Sequence, residues 1–183
     1  MGSKNMGKLD VLVNNAGIGM RTVNSRFMIE PQPFFQVTPD EFRNLIATNL
    51  TGYFLVARGF TPLMINQGHG KIINISMNYE TMKRKGFIPY GPSRAGTESL
   101  SYIMAEDLRP YGITVNLLLP GGATDTGMIP EELKSQIKFP LLRPRVMVEP
   151  IIFLASSKSD GITAERIIAI EFSEWLNKFN VGD

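Results

Sequence analysis

The sequence predicts an α/β domain, a parallel sheet with helices on both faces, and three observations predict it. Short β-branched runs alternate with longer stretches whose apolar residues recur every three or four positions. The runs end in turn-forming clusters, Asn15-Ala16-Gly17 after the first and Pro120-Gly121-Gly122 after the third. The 183 residues, 43% of them hydrophobic, suit one globular domain over 1–183, with no repeat, low-complexity tract or linker to divide it. Parallel neighbours need right-handed crossovers, which carry the helices onto the faces of the sheet.

The first strand is expected over Leu9 to Asn14, and residues 3–8 read as the end of a helix ahead of it. From Ile18 to Val37 the pattern is irregular, with Pro31 and Pro33 and with Phe27, Phe34 and Phe35 expected at the surface; loops of this length tend to serve function. Thr38-Pro39-Asp40-Glu41 supplies a cap, a proline at the first helical position and a capping-box glutamate. A long helix follows through Phe42, Leu45, Ile46, Asn49, Tyr53 and Val56 towards Met64. Lys71 to Ser76 is the second strand. The next helix starts near Tyr90, because Pro92 is tolerated only in a first helical turn. Ile113 to Leu119 reads as a third strand, Glu131 to Ile137 and Val146 to Ala155 as helices, and Arg166 to Ile170 as a last strand.

Composition narrows the chemistry. Nineteen Lys and Arg against seventeen Asp and Glu are scattered, so no nucleic-acid partner is expected, and Lys83-Arg84-Lys85 reads as a solvated loop. The absence of cysteine excludes disulfides, thiol nucleophiles and thiolate metal sites, and it fits a reducing cytoplasm, the expected location. His69 is the only histidine and sits in the turn Gln67-Gly68-His69-Gly70, so no metal centre is expected. Apolar runs fall far short of the roughly 18 residues of a membrane span, and no signal-peptide core is visible, so a soluble protein is expected.

Four landmarks then occur in order: Asn14-Asn15-Ala16-Gly17 after a strand, Asn49 inside the next helix, Tyr90-Gly91-Pro92-Ser93-Arg94, and Pro120-Gly121 after Val115-Asn116. At these spacings, each at the matching end of its element, the chain from Leu9 onward resembles the short-chain dehydrogenase/reductase family. The resemblance implies a Rossmann-type doubly wound sheet and hydride transfer between NAD or NADP and a carbonyl or secondary alcohol carbon. It implies that Tyr90 moves the proton on the substrate oxygen. A free tyrosine titrates near 10, so positive charge from Arg94, one helical turn away, is expected to favour the phenolate. Asn49 matches a helix asparagine whose backbone carbonyl, freed by a kink, binds a relay water. On the cofactor side the resemblance implies contacts from Asn14, Ala16, Gly17, Tyr90, Arg94, Pro120, Gly121 and Thr126. Taken alone, the residues also admit an Asn49 that merely caps a kink and a Tyr90 that is an ordinary half-buried aromatic.

The sequence departs from the family at three places. Arg94 stands where the family has lysine; it keeps the charge but has another donor geometry and does not release a proton. The family serine lies thirteen positions before the tyrosine, which here is Met77, a side chain that cannot donate to an oxyanion. Ser76 is expected to aim away, since neighbours on a strand face opposite sides, and Asn78 becomes the candidate donor if the loop is one residue shorter. The glycine-rich turn that holds pyrophosphate at a helix N-terminus is not found ahead of Leu9, and Gly17-Ile18-Gly19 does not replace it.

The expectation is therefore a sheet lacking the family's first three strands, with weak or absent NAD(P) binding and little activity from this chain alone. The alternative is a non-catalytic remnant that serves as an interaction module. Either way a homo-oligomer is expected, through the unpaired edge at residues 9–14 or through the two long helices.

Overall fold

A computed structural model describes residues 7–179. The helix expected at 3–8 lies largely outside them, and Gly7 and Lys8 belong to no helix. In order, the elements are β1 (Val11–Asn14), α1 (Pro39–Ile46), a wide π-type turn (Ala47–Thr51), α2 (Gly52–Gln67) and β2 (Gly70–Ile75). There follow α3 (Tyr79–Met82), α4 (Tyr90–Leu108), β3 (Ile113–Leu119), α5 (Glu131–Lys134), α6 (Val148–Ala155), β4 (Arg166–Ile168) and α7 (Phe172–Phe179).

The four strands form one parallel sheet in the order β1-β2-β3-β4, with Val11 opposite Lys71, Ile72 opposite Val115 and Leu118 opposite Ile167. Alternation along each strand divides the core. Ile72 and Val115 face a cluster with Ala57 and Met64 of α2 and Ala105 and Leu108 of α4. Ile73 and Leu118 face the other side, against Leu154, Phe172 and Trp175. All seven residues of β3 are buried, as expected for a strand paired on both edges and covered on both faces. Among the described residues no helix is long and apolar enough to cross a membrane.

The N-terminus of α1 forms as its sequence requires. Thr38 Oγ1 accepts from Glu41 N at 3.3 Å and the Glu41 carboxylate accepts from Thr38 N at 2.8 Å, a capping box contributing about 1 kcal/mol. Other expectations need correction. The long helix is broken by the π-type turn, whose extra residue shifts the phase of the apolar stripe, and Val56 ends 41% exposed. Phe42 is equally turned to solvent. The helix expected over 131–137 closes at Lys134, and the last strand ends at Ile168, where residues 169–171 form a single 3-10 turn. Phe27, expected at the surface, is 7% exposed and meets Phe87 edge to face at 5.6 Å, while Phe34 and Phe35 are exposed as expected. Phe27 belongs to a third apolar cluster with Met20, Leu45, Met77 and Phe87, beyond the C-terminal end of β2.

Candidate active site

The site forms where the ends of β1 and β2 meet the start of α4. Tyr90 opens α4; Gly91 N donates to Phe87 O at 2.7 Å and the Ser93 hydroxyl to Tyr90 O at 2.8 Å, which ties down the first turn. Gly91 is required there, because a Cβ would lie 2.2 Å from the Met82 carbonyl oxygen. The half-buried Tyr90 ring packs against the third cluster, and its hydroxyl donates to Met128 Sδ at 3.9 Å.

Arg94 lies one turn on and is 2% exposed. Its guanidinium carbon sits 5.3 Å from the centroid of the Tyr90 ring and 5.5 Å from that of Tyr53. Nη1 donates to the Tyr53 hydroxyl and to Ile75 O, each at 2.9 Å. The positive charge is thus beside Tyr90, as expected from the i, i+4 spacing, but its hydrogen bond goes to Tyr53. Burial works against the charge of Arg94, and the phenols of Tyr90 and Tyr53 outweigh it, leaving the arginine above its ordinary value. Burial likewise raises the Tyr53 hydroxyl, with Arg94 opposing.

Asn49 is fully buried within the π-type turn. Its side chain accepts from Ile18 N and donates to Ile18 O, both at 2.9 Å, and so pins the loop that leaves β1. Its backbone carbonyl, which the resemblance assigns to a water, accepts from Thr97 Oγ1 at 3.0 Å; the same hydroxyl lies 2.9 Å from Ser93 O and shares its one hydrogen. Sequence reasoning missed Thr97, although its place seven residues after Tyr90 puts it on the same helical face.

The expected oxyanion donor is partly engaged. The Asn78 amide donates to Gly121 O at 2.8 Å, joining the turn after β2 to the turn after β3. Met77 is 8% exposed and turned into the third cluster. Ser76 does aim elsewhere, donating to Glu98 Oε1. Glu98 is 4% exposed and accepts from Arg166 Nε at 3.0 and 3.1 Å; Arg166 Nη2 also donates to Met77 O at 2.8 Å, and its guanidinium lies 3.8 Å over the Tyr79 ring.

On the cofactor side the residues divide. Asn14 is buried: its amide donates to Asn74 Oδ1 at 2.8 Å, and Asn74 donates to Ser101 Oγ at 2.7 Å. Strand alternation puts that side chain under the sheet. Ala16 is exposed, and Gly17 lies against Arg94, where a Cβ would meet Nη2 at 2.7 Å. Gly121 has a φ of +99° and no room for a Cβ beside Ile170 and Ile168. Thr126 stands apart on an exposed segment, where its hydroxyl accepts from Met128 N at 3.4 Å and it lines an open hollow of about 560 Å³ with Arg21, Asp125 and Lys134. Arg94 Nε is buried and has no hydrogen-bond partner among the described residues. No residue described here supplies a glycine-rich cradle for pyrophosphate. Among the described residues, no three His, Cys, Asp or Glu side chains gather to hold a metal.

The chain is 30% identical over 172 residues to an acetoacetyl-CoA reductase of Rhizobium meliloti, covering 90% of this chain and 67% of the relative. It is 34% identical over 168 residues to a 3-oxoacyl-(acyl-carrier-protein) reductase of Staphylococcus aureus, covering 88% of this chain and 64% of the relative. The chain therefore spans about two thirds of the length of these relatives. Among solved structures, a 3-ketoacyl-(acyl-carrier-protein) reductase of Brucella melitensis, complexed with NADH, superposes with a TM-score of 0.74 at 27% identity, covering 91% of this chain and 67% of that one. The short chain dehydrogenase family model matches residues 3–136, and with these relatives it shows that the chain belongs to the short-chain dehydrogenase family.

Proposed function

We propose that this chain carries the nicotinamide-facing half of an NAD(P)-dependent oxidoreductase site for a small carbonyl compound or secondary alcohol. The observation that carries the reading is the pairing at the start of α4: the Tyr90 hydroxyl reaches the site, and the Arg94 guanidinium is held over the Tyr90 ring, bonded to Tyr53 and Ile75. Tyr90 would give or take the proton on the substrate oxygen, as a positioned general acid or base. Arg94 keeps positive charge beside that oxygen in both directions of reaction, because a guanidinium does not deprotonate. Asn49 fixes the loop at Ile18, and Gly17 lets that loop lie close against Arg94 and Asn49. A nicotinamide bound there supplies or accepts the hydride.

The same geometry supports little turnover by this chain alone. The proton path that the resemblance implies departs from the family at the lysine position, where an arginine stands, and Thr97 occupies one lone pair of the Asn49 carbonyl. Met77 offers no donor to a substrate oxygen, and Asn78 spends one of its two amide hydrogens on Gly121 O. Contacts with the nicotinamide riboside alone, worth about 4 kcal/mol, correspond to about millimolar affinity. Isothermal titration of the 183-residue chain with NADH and NADPH tests this. The expected result is a dissociation constant of about a millimolar or weaker; low-micromolar binding would overturn it.

One observation favours a second reading, a self-associating module. The outer faces of α2 and α4 expose Phe54, Leu55, Phe60 and Ile103, and β1 is paired on one edge only among the described residues.

A further inference from the structure

We infer that Tyr53 is a positioning residue of this site: its hydroxyl holds the Arg94 guanidinium on the ring of Tyr90, and so makes an arginine usable where the family has lysine. The inference rests on the function proposed above for Tyr90, and it concerns a side chain that the sequence marks only as one position of a helical apolar stripe.

Tyr53 stands in the first turn of α2 and is 3% exposed. Packing alone would be met there by a phenylalanine or a leucine. A buried hydroxyl costs free energy unless it is paired, and among the described residues its one hydrogen-bond partner is Arg94, whose Nη1 donates to it at 2.9 Å. The demands of the arginine are as specific. Nη1 carries two hydrogens; one goes to Tyr53 and the other to the carbonyl of Ile75, the last residue of β2, also at 2.9 Å. Two acceptors on one nitrogen fix the plane of a guanidinium, and one alone leaves it free to pivot. In that plane the central carbon lies 5.3 Å from the Tyr90 ring centroid and 5.5 Å from that of Tyr53, so the charge is shared between two phenol rings.

This placement is not the one that would pair Arg94 best. Nε is buried without a partner among the described residues, and burial works against the charge. A way to water is near: Nη2 lies against half-buried Gly17, and Ala16 beside it is exposed. A long cationic side chain in such a position turns its head to solvent unless something holds it. Tyr53 and Ile75 hold it, and of the two only Tyr53 does so with a side chain. Without that hydroxyl, Nη1 would pivot on Ile75 O and the charge would withdraw from Tyr90.

The test compares the parent chain with Tyr53→Phe, which keeps the ring and loses the hydroxyl alone, and it needs neither cofactor nor turnover. Tetranitromethane nitrates tyrosine as the phenolate, so the rate at Tyr90, read by peptide mass spectrometry against exposed Tyr111 of the same chain, reports the positive charge held beside it. In Tyr53→Phe that relative rate is expected to fall about threefold, the change that follows when a unit charge retreats by roughly 2 Å in a medium of intermediate dielectric. A role confined to packing predicts the opposite sign, because a loosened site admits the reagent and Tyr90 reacts faster. An unchanged or faster Tyr90 overturns the proposal. In an Arg94→Met background the same change at Tyr53 is expected to leave the Tyr90 rate alone, since no charge remains to be placed; a threefold fall there as well would overturn the proposal. The guanidinium itself gives a further readout, which decides the matter should Arg94→Met fail to fold. The two Nη nitrogens of Arg94 are expected to give separate NMR resonances in the parent, where rotation is held, and to merge in Tyr53→Phe; resonances that stay separate in the variant overturn the proposal. Absence of hydride transfer from NADH or NADPH, with the nitration and resonance changes as expected, would sink the oxidoreductase reading and leave Tyr53 as the residue that places Arg94.

Discussion

Arg94 shows how one substitution reorganises a site. A lysine at that position would reach with a single ammonium; the longer guanidinium runs past Tyr90 and spends Nη1 on the Tyr53 hydroxyl and Ile75 O, leaving Nε without a partner. Its removal strands a buried phenol and a buried carbonyl, each costing more unpaired than a hydrogen bond returns when made. Arg94→Ala is therefore expected to destabilise the fold by about 3 kcal/mol, and Arg94→Lys by about half of that, since an ammonium can serve one of the two acceptors. Urea unfolding measures both. Equal loss from the two variants would mean that the bonding geometry of the guanidinium, rather than its charge, holds the contact.

At the scale of elements, the approach of α3 to α4 is set by a missing side chain. A Cβ on Gly91 would lie 2.2 Å from the Met82 carbonyl oxygen, and backbone cannot yield as a flexible side chain does. Gly91→Ala is expected to cost about 3 kcal/mol, at the upper end for overpacking, and to lower the thermal midpoint. An unchanged midpoint would show that α3 moves freely. A weaker tie joins the start of β1 to the turn before β2, where His69 Nε2 lies 3.0 Å from Asp10 Oδ1. Asp10 holds His69 above its ordinary value, helped by the Gln67 carbonyl, and His69 holds Asp10 below its own, helped by Lys8. The raised histidine contributes fully below its unfolded value near 6.5 and loses that contribution as pH rises through its folded value. The lowered aspartate contributes above its unfolded value near 3.9 and loses it as pH falls through its folded value. The contact thus acts between about pH 4 and 6.5 and fades on either side. Thermal unfolding of the parent and of His69→Gln is expected to differ slightly at about pH 5.5 and to coincide at about pH 8.5; a gap that persists at the higher pH would exclude the ion pair as its cause.

For the whole molecule, the exposed apolar residues of α2 and α4 and the single-sided pairing of β1 are the surfaces to explain. Apolar area of this kind left in water favours association. Sedimentation velocity at micromolar concentration is expected to give a dimer or larger species, and Ile103→Lys together with Leu55→Lys is expected to shift it towards monomer. A parent chain that sediments as a monomer would remove this reading. Association that survives both lysines would point to the β1 edge instead.

How much of this was legible beforehand depends on the range of the forces involved. The alternation of β-branched runs with helical stripes, the capping box at Thr38 and the order of the four landmarks are local patterns, and they determined the strands, the parallel sheet and the positions of Asn49, Tyr90 and Arg94. The partners of those side chains are not local. Arg94 chooses Tyr53, 41 residues away, Asn49 chooses Ile18, 31 residues away, and Asn78 spends its amide on Gly121, 43 residues away. Phe27 reads as a loop aromatic until Phe87 arrives from another segment to cover it. The π-type turn that exposes Val56 and turns Asn49 inward is not marked by the apolar spacing, which runs through it, and only the resemblance pointed to a kink at Asn49. Such choices are settled by which buried donors and acceptors can meet once the sheet has closed, because an unpaired group costs more than any local propensity returns.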